Sequence, residues 1–455
     1  GISNYGSIST GGFRAAGISA QSIGGHGGMG GISFGTLASL VDAPSSTTIL
    51  GGGGGAGGHA GQAEVFNYSN ALVSTVGPFS TGIIAQSLGG NGGIGGVGFG
   101  VGDAPISPSI TLGGTGGNGA IGDYAYIYNL GAVNTSGINS PGLLAQSLGG
   151  NGGLAGFTIA AGTADQAGQF SSNIGGNGGT GANGGLANIW ETGSVVTSGQ
   201  LSPAVVVESI GGGGGRSGVT INLSAFHFMS NLTGTSTSVG GTGGSGGNGG
   251  DASLSQGGSI STAGAQSEAI YAGSIGGGGG NSGHSFVDFS GGPKLLNLLV
   301  GGQAGGSGDG GDISIYANQN SSIGPSNTIS TTGVFSEGFF AQSFGGGGGA
   351  ATGLHTQSSA GGTLEGMMRL GGSGSSAGGD GGALNIYSGG IISTQGMGST
   401  GILAQSIGGG GGKVHTGEVV ISSSFDYSFT YPTIQFAVGV GASGLTDSVS
   451  VTGTA

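Results

Sequence analysis

The sequence predicts an all-β fold, an elongated repeat solenoid, and within that class a right-handed parallel β-helix on which glycine-rich segments pack. Three observations predict it. First, one apolar motif running into Gln-Ser and glycine returns along the whole chain: GISAQSIGG (17–25), GIIAQSLGG (82–90), GLLAQSLGG (142–150), AVVVESIGG (204–212), AIYAGSIGG (269–277), GFFAQSFGG (338–346) and GILAQSIGG (401–409). Their serines, Ser22, Ser87, Ser147, Ser209, Ser274, Ser343 and Ser406, lie 65, 60, 62, 65, 69 and 63 residues apart. A fixed period marks a stacked array in which each unit buries its apolar face against its neighbours. Second, 124 of 455 residues are glycine, but only 9 are proline and 35% are hydrophobic. Glycine does not fall on every third position throughout, which excludes collagen. A disordered linker has no reason to repeat an apolar strand. Third, runs of four to eight residues between Gly, Asn and Ser turns are strand signals, and no segment sustains a helical period.

The unit from Tyr128 to Ile189 shows the elements in order. YNLGAVNTSG is a short strand between turn residues, and PGLLAQSL is the apolar strand. The glycine burst GGNGG follows, then a variable stretch, a second glycine tract (GGNGGTGANGG) and the closing strand LANI. The other units keep this order, so the chain reads as one continuous solenoid of about seven repeats: 1–66, 67–127, 128–189, 190–254, 255–315, 316–386 and 387–455. Both ends cut through a repeat, which suggests a window on a longer array. With two to three rungs assumed per repeat and strands about 4.8 Å apart, the length would be roughly 70–100 Å. The variable stretches (31–50, 95–112, 154–173, 217–239, 281–299, 347–370 and 413–438) are expected to hold loops or extra strands, where recognition would reside.

Within the apolar strand, alternation by two assigns the faces. Four residues before the serine stand Ile18, Ile83, Leu143, Val205, Ile270, Phe339 and Ile402, and two before it stand Ala or Val. These point inward. On the opposite face Gln dominates one position before the serine, yet three before it stand Ile84, Leu144, Val206, Tyr271, Phe340 and Leu403. A solvated face would be polar there. The expected solution is that the glycine tracts, extended and polyproline-II-like, fold over this face as a second layer, since glycine permits close backbone approach. The alternatives are contact with another molecule and ordinary exposure.

Charge excludes several functions. Five Lys and Arg stand against eighteen Asp and Glu, a net charge of −13, and the cations are scattered singly. No nucleic-acid partner is expected, because phosphate neutralisation needs clustered cations. An anionic membrane surface fails for the same reason. No apolar run in these residues is long enough to span a bilayer. Cysteine is absent, so no disulfide framework exists. Sparse charge leaves little repulsion against like molecules, so lateral or end-to-end packing between copies is expected.

Glycine-rich composition also manufactures motifs. GISFG (31–35) fits the nucleophile-elbow pattern at Ser33, but that elbow needs a following helix and none is expected. GGGGGKV (408–414) has valine where a phosphate loop needs a hydroxyl residue. GGNGGDASL (246–254) and GSGDGGDISI (306–315) are similar to calcium-binding nonapeptides, which makes Asp251, Asp312 and Asp380 calcium candidates, with Asp123 at a related place. The alternative role is an Asp closing a turn before a strand. The six histidines lack metal-ligand spacing. No carboxylate cluster suggests glycoside cleavage, and no catalytic residue or required cofactor is assigned. Trp190, Tyr124, Tyr126, Tyr128 and Phe226 are the residues able to stack on sugars, although such aromatics more often fill solenoid cores.

The string G-x-I-x-T-x-G-x-x-S-x-G-I-x-A-Q-S-I-G-G-G-G-G, nearly verbatim in GGIISTQGMGSTGILAQSIGGGGG (389–412), closely resembles the glycine-rich repeats of large bacterial autotransporter-like surface proteins. The resemblance covers all seven units. It implies β-helical stalks exported to the bacterial cell surface and serving adhesion, aggregation or biofilm. The family's outer-membrane barrel does not occur in these residues, so the resemblance does not supply the anchor. The expected role is an extracellular stalk or fibre without enzymatic activity, meeting like molecules and surface glycans or proteins of host or neighbouring cells. The alternatives are a subunit of a polymeric extracellular filament and a glycan-binding or glycan-cleaving β-helix.

Overall fold

The computed structural model describes all residues except 39–46, 104–107, 165–169, 227–232, 291–293, 318–327, 352–353, 359–365, 374–377, 390, 415–418, 423–434, 441–450 and 455. Among the described residues every regular element is a strand. The second repeat shows the path. Ala63–Asn67, Leu72–Thr75 and Ile83–Leu88 come first, followed by a glycine tract at 89–97. Gly98–Asp103 and Pro108–Leu112 follow, and a second tract at 113–124 leads into Ala125–Asn129 of the next repeat. We label the sheets built from these five strand positions A to E, in chain order.

Each repeat places one strand in each sheet, apart from a second sheet D strand, Val451–Thr454, near the end of the chain, and each strand pairs in parallel with its counterpart in the next repeat. Sheets A, B, C and E hold seven strands, and sheet D holds eight. Register follows the sequence motif without slippage in sheet C, where Ile18, Ile83, Leu143, Val205, Ile270, Phe339 and Ile402 form one row. A repeat is therefore one layer, not the two or three rungs assumed from its length. At about 4.8 Å per layer, seven layers rise only about 34 Å. The missing length lies in the plane of each layer. The variable stretches, which show little alternation, still supply the strands of sheets D and E.

The apolar core lies inside sheets A, B and C. Val65, Val73, Ile83 and Ala85 of one layer stack on Ile127, Val133, Leu143 and Ala145 of the next, all fully buried. Inward assignment of the positions four and two before the serine therefore holds. The corner between sheets B and C explains the T-x-G-x-x-S part of the motif. Thr75 Oγ1 donates to the Ser80 carbonyl (2.6 Å), and the Ser80 amide donates to Ser140 Oγ of the next layer (2.9 Å). The same pair of bonds recurs at Thr135–Ser140–Ser202 and Thr197–Ser202–Ser267. Sheets D and E enclose a thinner interior of small residues, where Thr220 Oγ1 lies 2.8 Å from Ser238 Oγ and 2.9 Å from Ser285 Oγ.

The glycine tracts join these two parts, and they do not fold over sheet C as expected. The outward residues Ile84 and Leu144 remain half-buried. The tracts pair with each other instead, with a period of three. In the tract at 89–97, Gly89, Gly92 and Gly95 donate to Leu148, which ends the sheet C strand of the next layer, and to Asn151 and Leu154 of that layer's tract, at 2.8 Å each. Gly90, Gly93 and Gly96 donate to Gly58, Gly55 and Gly52 of the preceding layer's second tract at 3.0, 2.7 and 2.6 Å. The third position of each triplet, Asn91 or Ile94, faces out. A Cβ at Gly92 would overlap the Gly117 carbonyl oxygen, and one at Gly93 would overlap that of Gly28. Two positions in every three are therefore closely packed against backbone and are mostly glycine, with Ala155, Ser217 and Ser282 in the position of Gly95 and Ala120 and Ala182 in the second tract, while the third position varies more widely.

Candidate interaction surfaces

Because the chain runs sheet C, first glycine tract, sheet D and then returns through sheet E, second tract and sheet A, each layer has two broad sides. Inward residues settle which side is which. Ser87 of sheet C donates to Gly61 of the second tract (3.0 Å), and the space above Gly98 and Gly100 of sheet D meets Thr111 and Ile49 of sheet E. The outward residues of sheet C, first tract and sheet D thus share one side, here the front. Those of sheet A, second tract and sheet E share the back.

The back carries the acids. Asp251 and Asp312 are register neighbours at the end of the second tract, and Asp309 and Asp380 occupy the column three residues before them. Three of these carboxylates have a structural partner in the next layer: Asp251 Oδ1 accepts from the Asp312 amide (3.0 Å), Asp309 Oδ1 from the Asp380 amide (2.8 Å) and Asp312 Oδ1 from the Ala383 amide (2.8 Å), while Asp380 joins its ladder through its amide. Asparagines do the same, as Asn183 Oδ1 accepts from Asn248 and Asn248 Oδ1 from Asp309. The three calcium candidates therefore stand in side-chain-to-backbone ladders, with Asp380 in a different column from Asp251 and Asp312. Among the described residues no three His, Asp or Glu side chains gather around a common point. Sequence reading missed these ladders, although the recurrence of Asn or Asp after two glycines was their visible signal. Ser33 lies within a strand and donates to the Leu50 carbonyl, so it stands on no elbow.

Aromatic residues expected in the core are on the back instead. Phe66, Tyr128 and Trp190 form one outward row of sheet A, continued by Ser255, Tyr316 and Tyr387. Trp190 is 41% exposed, and Tyr126 packs beside Tyr124 with ring centroids 5.3 Å apart. Partial burial, reinforced by Tyr124, Tyr128 and Glu64, pushes the Tyr126 hydroxyl up to about 12. Asn188 donates to the Tyr124 hydroxyl (3.2 Å), so amide, carboxylate and ring groups share this patch. Phe226 ends a sheet D strand away from this group, and its side chain lies outside the described residues.

The front is poor in charge. Its sheet C portion bears a glutamine ladder, Gln21 to Gln86 (2.6 Å), Gln86 to Gln146 (2.9 Å) and Gln146 to Glu208 (2.6 Å). Burial raises the Glu208 carboxyl, partly offset by the Gln146 bond. Among the outward positions of the first tract, Asn91 and Asn151 form one column, while Ile94 and Leu154 form the next, which the exposed Arg216 continues in the fourth layer. Ile94, Leu154 and Phe157 are between 43% and 46% exposed.

One buried acid belongs to neither side. At the last inward position of sheet A, Asn4 donates to Asn67 (2.8 Å) and Asn67 to Asn129 (2.7 Å), an amide column that continues as Glu191 and Gln256. Glu191 is fully buried, and neither carboxylate oxygen has a hydrogen-bond partner. Burial pushes its carboxyl up to about 8, only partly opposed by Gly258, Asn129 and Gly193 nearby. No protein-family model, curated protein or solved structure matches this chain.

Proposed function

We propose that the chain is a right-handed β-helical solenoid whose glycine tracts are polyproline-II-like, and that it acts mechanically as part of an extracellular, cell-surface stalk or fibre. One observation carries this reading: corresponding strands and glycine triplets repeat their hydrogen bonds from layer to layer, with a register shift between Leu370 and Ser373 in sheet E. Such continuous backbone ladders resist extension and leave few unpaired groups for proteases to grip. Right-handedness rests on the strong bias of parallel crossover connections. The variable strands of sheets D and E project the sequence differences to one end of each layer, away from the A–B–C core. Intact, unpermeabilised source cells should be labelled by antibody to the chain, and electron microscopy should place that label on rods or fibres. Labelling only after permeabilisation contradicts the surface role.

A second reading, binding of a glycan on the back, is supported by the aromatic and amide patch of Glu64, Tyr124, Tyr126, Tyr128, Asn188 and Trp190. Rings offer stacking area and their polar tips offer hydrogen bonds. Trp190 is the chain's one tryptophan, so its fluorescence reports on this patch alone. Titration with oligosaccharides should shift that emission saturably if glycans bind, and an unchanged spectrum contradicts this reading.

A further inference from the structure

We propose that the front of the solenoid, centred on the first glycine tracts of the early layers, is a docking surface for a second copy of this chain. The inference deepens the stalk-or-fibre reading by naming the partner through which stalks would bundle. Ile94 (43% exposed) and Leu154 (46%) stand in one column, and Phe157 (44%) begins the next. Each belongs to a layer covered on both sides, so the exposure is lateral. Leu88 and Leu148 of sheet C and Phe99 of sheet D extend the apolar area on the same side, all partly accessible.

Three arguments select a second copy. The first is spacing. These side chains form rows repeating at about 4.8 Å, and rows of that pitch interdigitate fully only with a surface of equal pitch. Another copy presents it. The second is charge. Asp251, Asp309, Asp312, Asp380 and Glu64 all lie on the back, so a front-to-front pair of chains at −13 each keeps these acids far apart. The third is area. A tract of nine residues at about 3.1 Å each, flanked by six-residue strands of sheets C and D at about 3.3 Å per residue and three layers deep at about 4.8 Å each, offers on the order of 1,000 Å² per copy, against about 800 Å² in an ordinary stable interface. Two-fold pairing of one face with itself closes the contact at a dimer.

The later layers supply substitutions that the fold already accepts. Asn281 occupies the column of Ile94 and Leu154, and His284 occupies that of Phe157. The triple variant Ile94→Asn, Leu154→Asn, Phe157→His should therefore fold. On the back, Tyr128→Ser with Trp190→Ser copies Ser255 of the same row and serves as control. Sedimentation velocity over a concentration series should show the unmodified chain approaching twice 42.3 kDa. The front variant should weaken that dimer by about tenfold or more, and the back variant should leave it unchanged. A folded chain that stays monomeric throughout, a front variant that dimerises as well as the parent, or equal loss from the back variant overturns the proposal. Circular dichroism and protease resistance of the same samples separate the two readings. A β-rich, resistant monomer defeats docking alone, whereas an unfolded or readily digested parent defeats the solenoid reading.

Discussion

At the scale of single residues, the glycine tract makes a sharp distinction between neighbours. Gly93 has no room for a methyl group against the Gly28 carbonyl, whereas Asn91, two residues earlier, faces solvent and lends only Oδ1 to the Asn151 amide at 2.8 Å. Gly93→Ala should destabilise the chain by about 1–3 kcal/mol or more through forced backbone displacement, and Asn91→Ala by about 1 kcal/mol or less, as read by urea denaturation. Equal effects would contradict the triplet arrangement. Glu191 yields a pH prediction. Its carboxyl titrates near 4.5 in an unfolded chain and near 8 when folded, so between those values the folded chain keeps a proton that the unfolded chain has lost. Its contribution is most favourable below pH 4.5, declines as pH rises through 8, and is constant above. Glu191→Gln extends the amide column of Asn67 and Asn129, and should raise stability at pH 9 by on the order of 4 kcal/mol while changing little at pH 4. Denaturation midpoints of both chains across that range check it; a parallel pH dependence in the variant would contradict it.

At the scale of elements, the energetic unit is the layer and its two neighbours. Leu143 is fully buried between Ile83 and Val205. Leu143→Ala should open a cavity costing about 2–5 kcal/mol, and in a stacked array the loss should stay local. Hydrogen exchange should accelerate in the second to fourth layers and remain near the parent rate in the sixth. A uniform increase would mean that the array unfolds as one unit. The inward rows were legible in the sequence because Ile83 and Ala85 alternate by two against the recurring serine. The number of rungs was not, because spacing between serines gives the length of a repeat but not how much of it lies within one layer. Sheets D and E were hidden for a related reason: Gly98 and Gly100 lie against Thr111 and Ile49 across a thin interior, so their strand lacks the apolar alternation that announces a core. The aromatic row of sheet A was misjudged because Tyr128 and Trp190 alternate with buried Ile127 and Ile189, and ring size outweighed position in the expectation. The Asp columns resembled metal loops because a carboxylate that caps the next layer's amide and one that binds calcium follow the same glycines.

At the scale of the whole molecule, charge, apolarity and backbone pairing are segregated. The Asp columns and the Tyr–Trp row lie on the back, the glutamine ladder and most exposed apolar side chains of the first tract on the front, and the glycine neck between them replaces side-chain packing with backbone hydrogen bonds. An array built this way gains width from each repeat and length only by adding layers. One repeat of 60 to 69 residues makes one layer. Cryo-electron microscopy of the chain tests it most directly, by counting the layers and measuring their spacing. Seven layers at about 4.8 Å, each with an apolar head, a paired glycine neck and a two-strand end, are the expected result. Two or three rungs per repeat, in a rod roughly 70–100 Å long, would contradict it.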